Sequence, residues 1–186
     1  MIYALTETKN NESINKLIAT CKSNSNVVGT SLRKAHYHLG CELANTYKLH
    51  FSNSIAICFL RGGLPFSMGV ADTLDCPILF FDDKTMPDFF NQNIAKFQNK
   101  QILLIDSVIN SGKGMLKAAK ELHRLGCVTR LITNVLCSKA LDKLAPYETY
   151  AIRISENSFK GSDVKVQSGN KGPDTGDRLF RIGANA

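Results

Sequence analysis

Short apolar runs alternate along the chain with stretches in which apolar residues recur at helical spacing. The runs that predict buried β-strands span residues 54–60, 77–81, 101–105, 129–136 and 149–154. The stretches that predict helices span residues 30–46, 66–74, 114–125 and 138–144. Strands that alternate with helices in this way are typical of a mostly parallel sheet with helices on both faces. The pattern therefore predicts a single α/β domain over residues 1–186.

Two segments depart from this alternation. Residues 82–100 surround several phenylalanines with acids, lysines, Asn and Gln, and we interpret them as an excursion from the core that forms a flap. Residues 155–186 are rich in Gly, Ser, Lys and Asp and predict an extended C-terminal loop. Ligands of parallel sheets bind beyond the carboxyl ends of the strands. Functional residues are therefore expected directly after Leu60, Phe81, Ile105 and Ile154.

The composition is that of an ordinary globular protein. The 186 residues are 44% hydrophobic and 21% charged, which excludes a disordered or fibrous class and suits one domain. Six cysteines are scattered without a C-x-x-C pair, so we expect reduced thiols rather than a disulfide framework or a zinc site. The first 22 residues lack a signal-peptide pattern, and no apolar run is long enough to span a bilayer. We therefore expect a soluble cytoplasmic protein that does not enter a membrane.

The chain is basic, with a formal net charge of +7 and a sequence pI near 9.1. Such a surface aids solubility, and it also attracts polyanionic small substrates or nucleic acids. The basic residues are dispersed and form no arm or arginine-rich run. A small anionic substrate is therefore a better expectation than a nucleic acid partner.

The connection after the central predicted strand has the features of an anion cradle. Asp106 stands at the end of the apolar run 101–105, where a carboxylate can accept hydrogen bonds from sugar hydroxyls. Ser111, Gly112 and Gly114 make a turn of small residues before a helix, whose first N–H groups and dipole attract phosphate. A P-loop is excluded, because it requires glycine at position 107 and a hydroxyl residue at position 114. Small residues selected for packing alone are the alternative interpretation.

A second anion-binding turn is predicted where Arg61, Gly62 and Gly63 follow the first predicted strand. An arginine at the carboxyl end of a strand can clamp a phosphate or diphosphate by charge-assisted hydrogen bonds. The glycines allow a sharp turn and add N–H donors for the same anion. A tight turn with a solvated arginine is the alternative. Together, two anion sites on strands of one sheet predict a ligand with phosphates at two ends.

Three motifs together resemble those of type I phosphoribosyltransferases and, within that group, of uracil phosphoribosyltransferase. Residues 106–114 resemble the loop that binds phosphoribosyl diphosphate (PRPP), and residues 60–64 resemble the diphosphate loop. Residues 174–180 resemble the motif near the C-terminus of that family, and residues 32–44 resemble an early helix. The resemblance covers about residues 30–180 and implies the single-domain α/β fold of these enzymes, with a flap.

The resemblance implies transfer of 5-phosphoribose from PRPP to a pyrimidine, most simply uracil, which gives UMP and diphosphate in pyrimidine salvage. Departure of diphosphate leaves positive charge on the ribose, so the reaction needs charge neutralisation at the leaving group and exclusion of water. Mg²⁺ is implied as the cofactor, bound mainly through the diphosphate of PRPP rather than by protein ligands. A homo-oligomer of two or more chains is also implied.

The resemblance carries the following roles over to this chain. The residues implied in catalysis are Arg61, Asp106 and Asp174. The residues implied in PRPP binding are Arg61, Gly62, Gly63, Lys84, Asp106, Ser107, Val108, Ile109, Asn110, Ser111, Gly112, Lys113, Gly114 and Asp174. Within this set, residues 111–114 would hold the 5-phosphate. The residues implied in base binding are Ser168, Pro173, Asp174 and Thr175.

The sequence departs from the family at two places that bear on activity. Lys84 stands in the flap region, where the family has an arginine, and supplies a point charge instead of a planar fork. Pro173 has no N–H, so one backbone donor to the base is absent. Two alternatives to uracil transfer therefore stay open. One is a non-catalytic regulator that binds PRPP or a nucleotide on the same fold, including one that binds RNA, and the other is a transferase for another base such as a purine.

Two pairs of residues are expected to have no part in the chemistry. His36 and His38 occupy alternate positions of a predicted helix and are expected at the surface. Asp177 and Arg178 are expected to tie the C-terminal loop together through an ion pair.

Overall fold

A computed structural model of the protein describes residues 1–8, 11–82, 86 and 88–182. The strands of its main sheet are β1 (Ile2–Ala4), β2 (Ser54–Phe59), β3 (Ile78–Phe81), β4 (Gln101–Ile109), β5 (Val128–Cys137) and β6 (Thr149–Ser155). They form a six-stranded sheet in the order β1-β6-β5-β4-β2-β3, and every neighbouring pair is parallel. The five predicted strands are confirmed, and β1 adds an edge strand that the apolar pattern did not predict, because it has only three residues.

Helices cover both faces of this sheet. In the described part of the chain they are α1 (Leu5–Thr8), α2 (Glu12–Cys21), α3 (Gly29–Thr46), α4 (Leu64–Leu74), α5 (Asp88–Phe97), α6 (Lys113–Arg124), α7 (Leu141–Leu144) and α8 (Thr175–Phe180). Apolar residues of α1 to α4 form one core with Leu103 and Ile105 of β4, and those of α5 to α7 form another with Ile102 and Leu104. This alternation along β4 confirms the predicted single-domain α/β fold with a parallel sheet between two helical layers.

No helix within the described ranges has the length and apolar character needed to cross a membrane.

The segment predicted to be a flap contains α5, which packs on the sheet. Phe90 and Phe97 are buried in the core, and the rings of Phe81 and Phe90 stack with their centroids 5.2 Å apart. The prediction of an excursion over residues 82–100 is therefore wrong for residues 88–97. Aromatic residues seven positions apart lie on one face of a helix, and the polar residues between them concealed that face in the sequence. Closure of this region over a site stays a prediction.

The C-terminal segment is also more ordered than the predicted loop over residues 155–186. Strands β7 (Lys160–Ser162) and β8 (Lys171–Pro173) pair in parallel as a small second sheet. Helix α8 follows β8 directly, with the side chain of Asp174 as its N-cap. Short strands and a capped helix therefore hold the backbone of this segment in a defined position.

Arg178 anchors α8 to the body of the protein. Its side chain is buried and donates hydrogen bonds of 3.0–3.3 Å to the backbone oxygens of Cys21, Lys22 and Val27. The predicted ion pair between Asp177 and Arg178 is wrong, because these backbone oxygens satisfy Arg178. The partner of Asp177 lies instead at the end of β2, where the candidate site begins.

Candidate active site

The carboxyl ends of β2 and β4 open into two adjoining cavities. The first has a volume of about 370 Å³ and lies between these strand ends and the C-terminal segment. The second has a volume of about 300 Å³ and extends along the start of α6. Leu60, Asp106, Val108 and Asn110 line both cavities, which therefore form one cleft. This position agrees with the predicted location of function after the strands that end near Leu60 and Ile105.

The second cavity is built by the phosphate loop, which we define as residues 110–114. The preceding strand β4 runs to Ile109, beyond its predicted end, because residues 106–109 continue to pair with β5. Gly112 has a φ angle of +71°, a left-handed conformation that glycine adopts without a steric penalty, and α6 begins at the next residue. At the N-terminus of this helix the cavity is lined by Ser111, Gly112, Lys113 and Gly114. The loop therefore presents the start of a helix to a concave space, as an anion site requires.

The arginine loop, residues 60–63, lies across the cleft. The peptide bond between Leu60 and Arg61 is cis. Arg61 is half-exposed, and its Nη2 donates to Asp177 Oδ1 of α8 at 2.9 Å. Gly62 lines the first cavity, whereas Gly63 lies behind it and donates its N–H to the Phe59 oxygen at 3.0 Å. The loop therefore places one guanidinium at the rim of the first cavity and ties it to the C-terminal helix.

Asp106 is the carboxylate where the two cavities meet. Its Oδ1 accepts a hydrogen bond of 2.7 Å from the N–H of Ser107. Burial raises the pKa of the Asp106 carboxyl from an ordinary 3.8 to about 7, hydrogen bonds from the N–H groups of Ser107 and Val108 oppose the rise, and the charge of Asp174 adds to it. Burial thus favours the protonated form of this carboxyl, whereas a bound cation or a row of hydroxyl donors would favour the ionised form.

Asp174 faces the same cavity from the C-terminal segment. Its Oδ1 accepts the N–H of Asp177 at 3.0 Å, which caps α8 and fixes the side chain. A Cβ at Gly161 would lie 2.7 Å from Asp174 Oδ2, so only glycine permits the observed approach of β7 to this carboxylate. Pro173 and Thr175 line the cavity on either side of Asp174.

The structure brings most of the predicted site residues into this cleft, with three exceptions. Gly63 is the last residue of the arginine loop and lines neither cavity. Ser168 is exposed and exchanges backbone hydrogen bonds with Lys171 in a turn that lines neither cavity. Lys84 lies outside the described residues, so its predicted contact with PRPP has no structural counterpart here.

Phe159 lines the first cavity and was not singled out from the sequence. Its ring lies flat on β8, since a Cβ at Gly172 would come within 2.3 Å of a ring carbon. Its carbonyl oxygen accepts a hydrogen bond from the side-chain amide of Asn110 in the phosphate loop. The signal in the sequence was an isolated aromatic residue within a polar, glycine-rich segment. Phe159 gives the cavity an apolar wall that is joined to the phosphate loop.

His36 lies beneath the cleft, and the prediction that it stands at the surface is wrong. Its side chain is buried, and its Nδ1 is 3.1 Å from Ser107 Oγ. Burial, with a smaller effect from the charge of Arg178, lowers the pKa of His36 to about 3. The signal in the sequence was its spacing from Leu32 and Leu39, which puts position 36 on the buried face of α3.

A comparison with known protein families decides the class of this fold and site. The sequence model of the phosphoribosyl transferase domain matches residues 42–168, which include β2, β4, the arginine loop and the phosphate loop. The chain belongs to this family. Most of the residues that line the cleft lie within the matched range, and the general class of enzyme is that of the phosphoribosyltransferases.

Solved structures with a similar fold include members of that class. The AQ2163 protein from Aquifex aeolicus is 14% identical, with coverage of 98% of this chain and 99% of its own and a TM-score of 0.70. Orotate phosphoribosyltransferase from Mycobacterium tuberculosis, in complex with inorganic phosphate, is 11% identical, with coverage of 83% and 95% and a TM-score of 0.60. Adenine phosphoribosyltransferase from Thermoanaerobacter pseudethanolicus is 13% identical, with coverage of 65% and 80% and a TM-score of 0.50. At these identities the likeness shows the fold. No curated protein matches the sequence.

The donors and charges of the phosphoribosyl transferase domain suit a doubly phosphorylated ligand. One helix N-terminus and one guanidinium lie on opposite sides of Asp106, with the wall formed by Phe159 alongside. Among the residues that the structure describes, no group of three His, Cys, Asp or Glu side chains is placed to hold a metal ion. The carboxylates that line the two cavities in the described part of the chain are those of Asp106 and Asp174.

Proposed function

We propose that the protein transfers 5-phosphoribose from PRPP to a pyrimidine base, with uracil as the substrate and UMP and diphosphate as the products. The observation that carries this proposal is the placement of Asp106 between the two cavities, with the phosphate loop on one side and the arginine loop on the other. PRPP carries a phosphate group at one end of its ribose and a diphosphate at the other. This cleft offers one anion site on each side of the Asp106 carboxylate.

The 5-phosphate is assigned to the second cavity. The N-terminus of α6 lines this space. The first N–H groups of a helix have no acceptor within the helix, and the helix dipole adds attraction for an anion. Lys113 lines the same cavity and contributes a positive charge. A Cβ at Gly114 would meet no atom within 4 Å, so this position is open for a phosphate to approach the backbone.

The ribose and the diphosphate are assigned to the space around Asp106. An ionised Asp106 accepts hydrogen bonds from the ribose hydroxyls, and Arg61 binds the diphosphate through charge-assisted hydrogen bonds. The ion pair of Arg61 with Asp177 keeps the guanidinium at the rim until the anion arrives. Mg²⁺, when bound with PRPP, neutralises part of the diphosphate charge.

The reaction follows from these positions. The bond between C1 of the ribose and the diphosphate oxygen breaks, and the electron pair leaves with the diphosphate, where Arg61 stabilises the added charge. The carboxylates of Asp106 and Asp174 face the positive charge that develops on the ribose. A nitrogen of the base then forms the new bond to C1, and its proton passes to the released diphosphate.

The base is assigned to the first cavity, beside the wall formed by Phe159. A flat ring suits this wall, because aromatic faces pack well against planar heterocycles. Pro173 offers a carbonyl oxygen but no N–H, so it can accept a hydrogen bond from a base N–H and cannot donate one. Uracil is the base favoured by the likeness of residues 60–64, 106–114 and 174–180 to uracil phosphoribosyltransferase.

Diphosphate release tests the proposal. The protein is incubated with Mg²⁺ and PRPP and with one base at a time: uracil, cytosine, orotate, adenine, guanine or hypoxanthine. We expect release with uracil that exceeds release without a base. If only a purine stimulated diphosphate release, the protein would still be a phosphoribosyltransferase, but its substrate would be that purine and not uracil. Saturable PRPP binding with no release for any base would favour the non-catalytic regulator.

A further inference from the structure

A buried chain of hydrogen bonds beneath the arginine loop has no role in the reaction described above. Ser107 Oγ is 2.6 Å from the carbonyl oxygen of Gly62, and His36 Nδ1 is 3.1 Å from the same Oγ. The side chains of His36 and Ser107 are 2% and 0% exposed. The chain therefore runs from α3 through the residue after Asp106 to the loop that carries Arg61.

The protons in this chain can be assigned by counting donors. A carbonyl oxygen only accepts, so the single proton of the Ser107 hydroxyl points to Gly62. The hydroxyl oxygen must then accept from His36, which places a proton on Nδ1. Asn134 Nδ2 is 3.5 Å from the same Nδ1, too far to compete with Ser107.

The other nitrogen of the ring agrees with this assignment. His36 Nε2 is buried and has no hydrogen-bond partner among the described residues. A proton on this nitrogen would be a buried donor without an acceptor, and it would also leave Nδ1 without the proton that Ser107 Oγ accepts. A doubly protonated ring would add an unpaired charge beside the buried Arg178. The neutral Nδ1–H form is therefore the one that this environment favours.

The peptide group between Gly62 and Gly63 is held at both ends. Its carbonyl oxygen accepts from Ser107, and its N–H donates to the oxygen of Phe59 at 3.0 Å. Only the first of these two bonds depends on a side chain that can rotate. If His36 did not donate to Ser107, the hydroxyl proton could turn away and leave the Gly62 oxygen without a donor.

We propose that His36 is a positioning residue for the diphosphate-binding loop. Its Nδ1–H donates to Ser107 Oγ and so keeps the Ser107 proton on the Gly62 carbonyl, which fixes Arg61 at the rim of the first cavity. The residue touches neither substrate and acts only through Ser107. The assignment of diphosphate as the ligand rests on the proposed function, whereas the proton assignment rests on the geometry alone.

Three variants test this role by calorimetric titration with diphosphate and with ribose 5-phosphate in the presence of Mg²⁺. His36→Leu removes the donor at similar volume, and we expect about tenfold weaker diphosphate binding, as for the loss of one hydrogen bond. His36→Asn keeps an N–H near the position of Nδ1, and we expect binding within about threefold of the wild type. Ribose 5-phosphate, whose phosphate is assigned to the phosphate loop, is expected to bind both His36 variants as tightly as the wild type.

The third variant, Ser107→Ala, separates positioning from packing. We expect Ser107→Ala to weaken diphosphate binding as much as His36→Leu does. The double variant with both substitutions is expected to lose no more diphosphate affinity than either single variant. The proposal would be overturned if the His36 variants lost affinity for diphosphate and ribose 5-phosphate equally, or if His36→Leu and His36→Asn bound diphosphate equally. His36 would then be a packing residue.

The tautomer is measured in the wild-type protein, independently of any substrate. Nitrogen-15 NMR of histidine-labelled protein at pH 6–8 is expected to show one buried histidine with protonated Nδ1 and unprotonated Nε2. A proton on Nε2 would refute the chain of hydrogen bonds even if PRPP binds. Failure of the wild type to bind PRPP or diphosphate would instead refute the proposed function, and the NMR result would still decide the role of His36 toward Ser107.

Discussion

Replacing Asp106 by asparagine is expected to stabilise the ligand-free protein at pH 8 and to impair it as an enzyme. The structure raises the pKa of this carboxyl from 3.8 to about 7, chiefly by burial. A folded-state pKa above the unfolded value means that the folded protein binds more protons between about pH 4 and pH 7. The free energy of unfolding therefore falls as pH rises through this window.

The size of the effect follows from the shift. Each pH unit by which the pKa rises corresponds to about 1.4 kcal/mol, so the rise in the Asp106 pKa lowers the free energy of unfolding at high pH by at most about 4 kcal/mol. Asp106 lines the cleft and keeps some contact with water, which reduces the penalty, so we expect about 2–4 kcal/mol at pH 8. Asparagine has nearly the same shape, retains an acceptor for the Ser107 N–H and carries no charge. The Asp106→Asn variant therefore avoids the cost of burying a charged carboxylate at high pH. At pH 4, where the wild-type carboxyl is protonated, it is no more stable than the wild type.

Urea denaturation of both proteins between pH 4 and pH 8.5 measures this difference. Subtracting the wild-type free energy of unfolding from that of Asp106→Asn cancels the titration of the groups that do not interact with Asp106. We expect a difference that grows with pH and levels off above pH 7, together with a loss of diphosphate release in the presence of PRPP and uracil. A difference that is flat across this range would show that the Asp106 pKa is ordinary and that our account of its burial is wrong.

Three other substitutions separate the parts of the site. Arg61→Ala is expected to weaken PRPP binding about tenfold to hundredfold, as loss of charge-assisted hydrogen bonds would, and the exposed Arg124 on α6 supplies the control Arg124→Ala. Unchanged affinity in calorimetry would remove Arg61 from the diphosphate site. Gly172→Ala is expected to raise the KM for the base and leave PRPP affinity intact, because the new Cβ would displace the Phe159 ring. An unaltered KM would show that this ring does not contact the base. Arg178→Leu is expected to lower the free energy of unfolding in urea by about 3 kcal/mol or more, because three backbone oxygens lose a buried donor. A loss below about 1 kcal/mol would contradict the anchoring role of Arg178.

The elements that the sequence predicted well are those whose pattern is local. β2 is buried at every position, so its apolar run was unbroken and its boundaries were clear. The phosphate loop and the arginine loop were also predictable, since small residues and one arginine follow such strands directly. In both cases the residues that decide the structure are neighbours in the chain.

What the sequence did not predict depends on contacts between distant residues. Polar residues fill the outer face of α5, so its aromatic face was not recognised until Phe90 was seen against Phe81. Phe159 belongs to the site because Gly172 and Asn110 hold it there, and His36 is joined to the site because its ring contacts Ser107 beneath the cleft. Each of these pairs is joined only by the fold, and no spacing in the sequence connects them.

We propose that this cleft transfers 5-phosphoribose from PRPP to uracil. The most direct measurement of this transfer is mass spectrometry of the products formed from PRPP carrying carbon-13 in the ribose, with uracil and Mg²⁺. We predict UMP that contains the labelled ribose, in an amount equal to the diphosphate released. We expect Asp106→Asn to form both products more slowly than the wild type. Diphosphate without labelled UMP, or no turnover while PRPP binds, would contradict the account.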